Sequence, residues 1–380
     1  MQFAKDFLWG TATSGHQTEG NNINSDWWKW ENGISAKACD SYNRYEEDFN
    51  LAVQLNNNAV RIGVEWSRIE PTKGKFSQKE LGHYKKVLRA AKSRNLKTFV
   101  TLHHFTSPKW VSWTNKKTPE QFANYAGMCA KEFGDLVDVY LTINEPQVYA
   151  MQSYLRGIWP PQKKNIFLSL LVQINFIRAH NKAYKIIKGV GNYKVGIVKN
   201  IVWWQISKQS KTKIADYVIA KTLQFLSSDF FLIPIKKHLD LIGLNYYFTK
   251  EIKNLKFCEP HDKISDLGWW LNPAGILYVL LNLKKYKKPI YITEHGVADR
   301  KDKQRAWWIN ETLKYCHHAI EQGVPLKGYF HWSLIDNYEW AEGFEPRFGL
   351  VEIGRENNLE RKPRGSFFDY AEICKTGRLS

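Results

Sequence analysis

The chain has 380 residues, 43% of them hydrophobic and 24% charged, with a formal net charge of +18. That balance excludes global disorder, and surface scaling gives roughly 16,000 Å² exposed when folded against about 65,000 Å² for the extended chain, so a self-sufficient core is expected. The five cysteines are odd in number, far apart and contain no Cys-x-x-Cys pair, which argues against a zinc ribbon or a disulfide scaffold and for a reducing cytoplasm.

Short apolar, β-rich runs alternate with helical patterns along the chain. The runs are 7–11, 59–64, 97–103, 139–143, 194–201, 239–245, 289–293 and 326–333. Most are apolar throughout rather than alternating, as expected of parallel strands buried on both faces. Between the second and third runs, Ser77-Gln78-Lys79-Glu80 reads as a capping box, with Leu81, Tyr84, Leu88 and Ala91 recurring on one helix face behind it. Before the fourth, Thr118-Pro119-Glu120-Gln121 repeats the device with Pro at the first helical position, followed by an apolar stripe of Phe122, Tyr125, Cys129 and Phe133. Eight strands with intervening helices predict a single (β/α)₈ barrel over residues 1–380, with its active site at the C-terminal strand ends. A doubly wound open sheet competes, but the turn after the first run, Ala12-Thr13-Ser14-Gly15-His16-Gln17-Thr18-Glu19-Gly20, lacks the glycine fingerprint of a dinucleotide site. Walker A, GxSxG and HExxH motifs are absent as well, so no cofactor or metal is expected.

The positive charge is scattered, partly as lysine doublets, with no basic tail and no nucleic-acid-binding signature. These are read as solvated helix faces, and no nucleic-acid partner is expected. The longest apolar candidates, 167–177 and 274–283, are broken by Ser, Gln or Asn and fall short of the ~18 residues of a membrane helix. No membrane partner is expected, and the first residues do not resemble a cleaved leader.

Two strand tips carry a carboxylate. The fourth run ends Leu141-Thr142-Ile143-Asn144-Glu145-Pro146 and the seventh ends Tyr291-Ile292-Thr293-Glu294-His295-Gly296. Strands four and seven lie across an eight-stranded ring, so the two acids can face one ligand. A lone strand-end Glu more often caps the next helix; a facing pair suits glycosidic bond cleavage. The leaving oxygen of an acetal needs a proton donor and the developing oxocarbenium ion needs a nearby anion. Burial and repulsion keep one acid neutral, while a cation such as Arg61 on the second run keeps the other ionised.

At this point the chain resembles family 1 glycoside hydrolases, the group of β-glucosidases and β-galactosidases. The resemblance runs end to end. It includes Phe7-Leu8-Trp9-Gly10-Thr11-Ala12-Thr13, Gln17-Thr18-Glu19-Gly20, Glu65-Trp66-Ser67-Arg68-Ile69, His103-His104-Phe105 and Thr142-Ile143-Asn144-Glu145-Pro146. Gly243-Leu244-Asn245-Tyr246-Tyr247 and Ile292-Thr293-Glu294-His295-Gly296 follow, then the long segment from Trp332 to Phe344. It implies a retaining, exo-acting β-glycosidase with Glu145 as acid/base and Glu294 as nucleophile. It implies further that Arg61 and Tyr247 support the nucleophile and that Asn144 binds the sugar 2-hydroxyl. Gln17, His104, Glu339 and Trp340 would bind the other glycone hydroxyls, Trp332 would floor the pocket, and Phe348 would shape its wall near the 6-position. His103 and His180 are expected to be structural, Trp9, Trp66 and Trp110 to pack or rim the pocket, and Asp336 and Asn337 to organise the last loop.

The chain departs from the family pattern in places. His295 stands where Asn is commoner, and a titrating His there would tune the pH profile. Phe105 replaces a commoner Trp. Residues 207–240 are short, which predicts an open aglycone entrance. Glu339 places a carboxylate where a phosphosugar would be repelled. The implied partner is a small β-glycoside or short oligosaccharide, with glucose, galactose or fucose as glycone. The alternatives are glycosyl transfer with the same two acids and a non-catalytic sugar-binding protein.

Overall fold

A computed structural model describes residues 1–258 and 263–379. Its centre is a closed ring of eight parallel strands, each falling within or beside a predicted run: β1 (Leu8–Ala12), β2 (Ala59–Gly63), β3 (Lys97–Thr101), β4 (Val139–Asn144), β5 (Lys194–Asn200), β6 (Leu241–Asn245), β7 (Ile290–His295) and β8 (Leu326–Trp332). Consecutive strands are neighbours and β8 closes on β1, pairing Gly10 with Phe330 and Ala12 with Trp332. The folded surface is 16,117 Å², in line with the size-based expectation.

The strands are apolar on both sides because two apolar layers meet them. Phe99, Leu141, Val198 and Phe330 fill the barrel interior. Val100, Ile197 and Ile292 face outward, where the helices cover them. Helix α1 (Gln78–Lys92) buries Leu81, Tyr84, Leu88 and Ala91, and α2 (Thr118–Phe133) buries Phe122, Tyr125, Cys129 and Phe133, as their spacing predicts.

The caps differ in detail. Ser77 does cap α1, its Oγ accepting from the Glu80 amide at 3.3 Å. The reciprocal half of the box is not made: the Ser77 amide donates to the Ile69 carbonyl and the Glu80 carboxylate accepts from the Tyr42 hydroxyl at 2.9 Å. Tertiary partners outcompete the local bond. Thr118 is not a cap at all. It is the first helical residue, and its hydroxyl donates back to the Ser112 carbonyl at 2.6 Å.

The connection after β5 holds a further difference. Helix α3 (Ile166–Val190) crosses from β4 to β5, and α4 (Lys213–Gln224) and α5 (Phe230–Ile235) lead from β5 to β6. The stretch Lys213–His238 is helical for 26 residues, long and apolar enough by length and composition to cross a bilayer, and only 33% of its apolar 18-residue window is buried. No apolar run of that length was expected here. Lys221, Gln224 and Ser227-Ser228-Asp229 interrupt it in sequence but fall on turns of one continuous helix. Phe231, Leu232 and Ile235 fix its end in the outer apolar layer, so the stretch lies along the barrel.

Candidate active site

The two glutamates sit where the strand period of two breaks. In β4, Leu141 faces the interior and Thr142 faces out, its hydroxyl 2.7 Å from His180 Nδ1. Strict alternation would send Asn144 outward too. Instead the register against β5 shifts between Leu141 and Asn144, and the Asn144 amide joins the interior network. In β7 the register shifts between Ile292 and Glu294, so Thr293 and Glu294 both find interior partners. Glu145 follows with φ 42° and ψ 56°, a left-handed conformation that is uncommon for a side chain of this type.

Arg61 holds the centre. Fully buried on β2, it donates to Thr101 Oγ1 at 2.9 Å, the Thr293 carbonyl at 3.2 Å, Glu294 Oε1 at 2.5 Å and Asn144 Oδ1 at 2.7 Å. Tyr247 donates to the other Glu294 oxygen at 2.5 Å. Glu145 Oε1 accepts from Asn245 Nδ2 at 2.6 Å and Asn200 Nδ2 at 3.1 Å, and the same Asn245 amide reaches Asn144 Oδ1 at 3.3 Å. Glu294, Arg61, Asn144, Asn245 and Glu145 thus form one continuous hydrogen-bonded chain across the barrel mouth. Burial first, and the Glu294 charge second, push the Glu145 carboxyl up to about 8, against the lowering effect of its two amide donors and Arg61.

The remaining predicted residues join this network. Asn144 Nδ2 donates to His104 Nε2 at 3.0 Å, and burial beside Arg61 keeps that ring well below its usual protonation range. The His104 ring lies 5.8 Å from Trp332 and 5.9 Å from Trp340. Gln17 donates to the Tyr338 carbonyl at 2.9 Å, to Asn337 Oδ1 at 3.1 Å and to Glu339 Oε2 at 3.4 Å. Glu339 is pushed up to about 8 by burial, then by the charges of Glu294 and Glu145. Phe348 packs 6.1 Å from the Tyr247 ring. All eleven predicted residues therefore belong to one connected region at the C-terminal ends of the strands.

His103 and His180, expected to be structural, and Trp9, Trp66 and Trp110, expected to pack or rim the pocket, all have partners within the fold. His103 turns outward to Ser107 Oγ at 3.2 Å and packs on Trp113. His180 bridges Thr142 and the His238 carbonyl. Trp66 stacks on Tyr125, Trp9 packs with Phe3 and Phe7, and Trp110 donates to the Glu70 carbonyl. Asp336 receives Arg364 and the Gly349 amide, tying the last loop together.

His295 corrects an expectation. It faces away from Glu294, stacks on Trp308 at 4.8 Å and lies 2.6 Å from the Tyr329 hydroxyl through Nδ1. Full burial pushes its pKa down to about 3, so it stays neutral at ordinary pH and does not act as a titrating neighbour. Sequence reasoning missed Asn245 and Asn200 as partners of Glu145. Both were visible as polar tips of β6 and β5, the same signal that found Glu145 and Glu294.

Comparison with known proteins agrees with this geometry. The family model for glycosyl hydrolase family 1 matches residues 1–225 and 197–378. A 1,4-beta-D-glucan glucohydrolase of Thermotoga neapolitana is 30% identical over 100% of this chain and 99% of its own length. A beta-galactosidase of Pyrococcus woesei is 31% identical over 95% and 94%. Among solved structures, a beta-glycosidase from Pyrococcus horikoshii superposes with a TM-score of 0.92 at 36% identity, covering 100% of this chain and 96% of that one. The beta-glucosidase from Thermotoga maritima in complex with glucoimidazole superposes at 0.91 with 28% identity and full coverage of both chains. Such agreement across the whole barrel, with both carboxylates in one mouth, places the chain in glycosyl hydrolase family 1 as a glycoside hydrolase.

Proposed function

We propose that the chain acts as one catalytic unit over residues 1–380, an exo-acting, retaining β-glycosidase on unphosphorylated β-glucosides, galactosides or fucosides. The observation that carries the reading is the difference between two carboxyls in one network: Glu145 is raised to about 8, while Glu294 receives the Arg61 guanidinium and the Tyr247 hydroxyl. Glu294 attacks the anomeric carbon, and Glu145 gives its proton to the departing oxygen. The glycosyl-enzyme then forms with the negative charge of Glu294 consumed. Glu145 loses its repelling neighbour, its pKa falls, and it takes a proton from the water that attacks the anomeric carbon.

Asn144 is anchored through Oδ1 by Arg61 and Asn245, which fixes it for a hydrogen bond to the 2-hydroxyl. Buried His104 Nδ1 has no protein partner among the described residues and suits a sugar hydroxyl. Gln17 and Glu339 already touch each other and suit a bidentate grip on adjacent hydroxyls. Trp332 supplies a flat face for the ring. The free thiols suit a reducing compartment such as the cytoplasm.

A second reading, glycosyl transfer to a sugar acceptor, gains support from a relative named galactolipid galactosyltransferase from Arabidopsis thaliana. It is 32% identical over 88% of this chain, though this chain spans only 58% of that protein. The same two carboxylates serve either acceptor.

The test is hydrolysis of a panel of nitrophenyl β-glycosides with the first-formed anomer followed by proton NMR. The β-anomer should appear first. Glu294→Ala should abolish turnover, and Glu145→Ala should spare activated leaving groups more than poor ones. First appearance of the α-anomer would sink the retaining mechanism; inactivity of the wild type on every member would sink the glycosidase.

A further inference from the structure

Residues 146–239 have a surface unlike the rest of the chain. No Asp or Glu occurs between Pro146 and Ala215. The two that follow are engaged. Asp216 has no exposed surface and accepts from Ser210 and the Leu255 amide; Asp229 pairs with Lys285 at 2.7 Å. Against them stand fifteen Lys and Arg, thirteen more than the acids; of these Lys199 is buried, and Lys182 and Lys188 pair with Glu120 and Asp240 outside the stretch, which leaves the face positive.

The same quarter holds 14 of the 23 exposed large apolar side chains among the described residues. On α3 they are confined to the first three turns, where Phe167 is 77% exposed; apart from Val190, the rest of the helix shows none. A crossover helix begins near the C-terminal strand ends, so this end of α3 is its mouth end. On α4, Ile214 is 86% exposed and Val218, one turn later, 57%, with exposed Lys211, Lys213 and Lys221 beside them.

Three occupants compete for such a face. A second copy of the chain would set this positive quarter against itself across a two-fold axis, which repels. A nucleic acid answers the charge but offers phosphates to aliphatic Ile, Leu and Val. An anionic bilayer answers both, with headgroups for the lysines and the acyl boundary for the aliphatics. Crossing the bilayer is ruled out by Phe231, Leu232 and Ile235, which are fully buried against the barrel.

We propose that this face docks in the interfacial plane of an anionic lipid bilayer and presents the active-site mouth to glycosides whose aglycone is embedded in it. The substrate half rests on the glycosidase reading above. It follows from position. Glu145, which protonates the leaving aglycone oxygen, begins the short helix Pro146–Ala150, which runs directly into Met151–Leu155, where Met151 and Leu155 are exposed. Gln147 Nε2 donates to the Asn200 carbonyl at 2.5 Å, and Asn200 in turn holds Glu145, tying the acid to this face.

Sedimentation of the full chain with vesicles of phosphatidylcholine alone, and with added phosphatidylglycerol, tests docking without reference to activity. The protein should pellet with the anionic vesicles only, and rising salt should release it. Phe167→Asp with Ile214→Asp should weaken binding by more than about tenfold, and Lys211→Gln with Lys213→Gln on the order of thirtyfold, both leaving nitrophenyl glycoside hydrolysis unchanged. A long-chain alkyl β-glucoside should be cleaved faster in anionic than in neutral vesicles, and the Phe167→Asp, Ile214→Asp variant should lose that advantage. No pelleting, or equal pelleting with both vesicles, overturns the docking face. Self-association on gel filtration that the apolar variant abolishes, without pelleting, assigns the face to a second copy instead. Pelleting without a preference for the embedded glucoside overturns the substrate class. Pelleting by a protein inactive on every soluble glycoside leaves docking standing and removes the enzymatic reading.

Discussion

In the proposed mechanism Glu145 must hold a proton to act as an acid, so its raised pKa sets a limit. With the group at about 8, kcat/KM should fall as pH rises through that value, and Glu145→Gln should remove this alkaline limb along with most activity on poor leaving groups, roughly a hundredfold or more. Asn245 donates to Glu145 and thereby favours its ionised form. Asn245→Ala should move the limb to higher pH and lower kcat more than it raises KM; a limb that moves down or stays still would contradict the positioning role. His295 offers a contrast. Already neutral above about 3, it should leave the profile between pH 5 and pH 9 unchanged when replaced by Asn, while loss of the Tyr329 contact and the Trp308 stack costs about 1–2 kcal/mol in denaturant unfolding.

At the scale of elements, the site depends on two strands that break their own periodicity. The shifts in β4 and β7 bring Asn144 and Glu294 inward, and the β7 break is followed by tightly packed backbone. At Gly296 a Cβ would run into the Trp332 carbonyl. Gly296→Ala should therefore disturb Glu294 and Trp332 together, lowering kcat/KM by about a hundredfold and the melting temperature with it. The α1 cap makes a milder prediction. Ser77→Ala should cost about 1 kcal/mol, whereas the contribution of Glu80 runs through Tyr42, so Tyr42→Phe should remove it. Chemical denaturation of the two single variants and their double separates these contributions.

For the whole molecule, buried ionisable groups oppose one another. Glu19 and Asp26 are raised to about 7, and Glu145 and Glu339 to about 8. Their folded-state protons contribute stability that is present at low pH and lost as pH rises from about 4.5 through 8. His103 and His295, lowered to about 3, His180, lowered to about 4, and His104 and His331, lowered well below the usual range, do the reverse. The unfolded chain binds protons at these rings below 6.5, so stability falls as pH drops through that value. Thermal unfolding should give a maximum near pH 6, with decline on both sides. A melting temperature still rising from pH 6 to pH 8 would contradict the raised carboxyls.

The amino-acid sequence by itself determined the barrel, because strands buried on two faces must be apolar along their length and caps must punctuate the helices between them. It also carried both carboxylates, since polar residues at strand tips stand out against apolar runs, whereas the proposed sugar-binding residues were legible only through the resemblance to the family. The acid-free stretch from 146 to 215 was equally legible, but its meaning was not: charge becomes a face only when helices place it beside exposed Ile and Phe. Tertiary structure alone decided the rest. Which way Asn144, Glu294 and His295 point follows from register shifts that a period of two cannot foresee. Whether Glu80 closes a capping box or reaches Tyr42, and whether Glu145 keeps its proton, depends on partners distant in sequence and on the water that packing excludes.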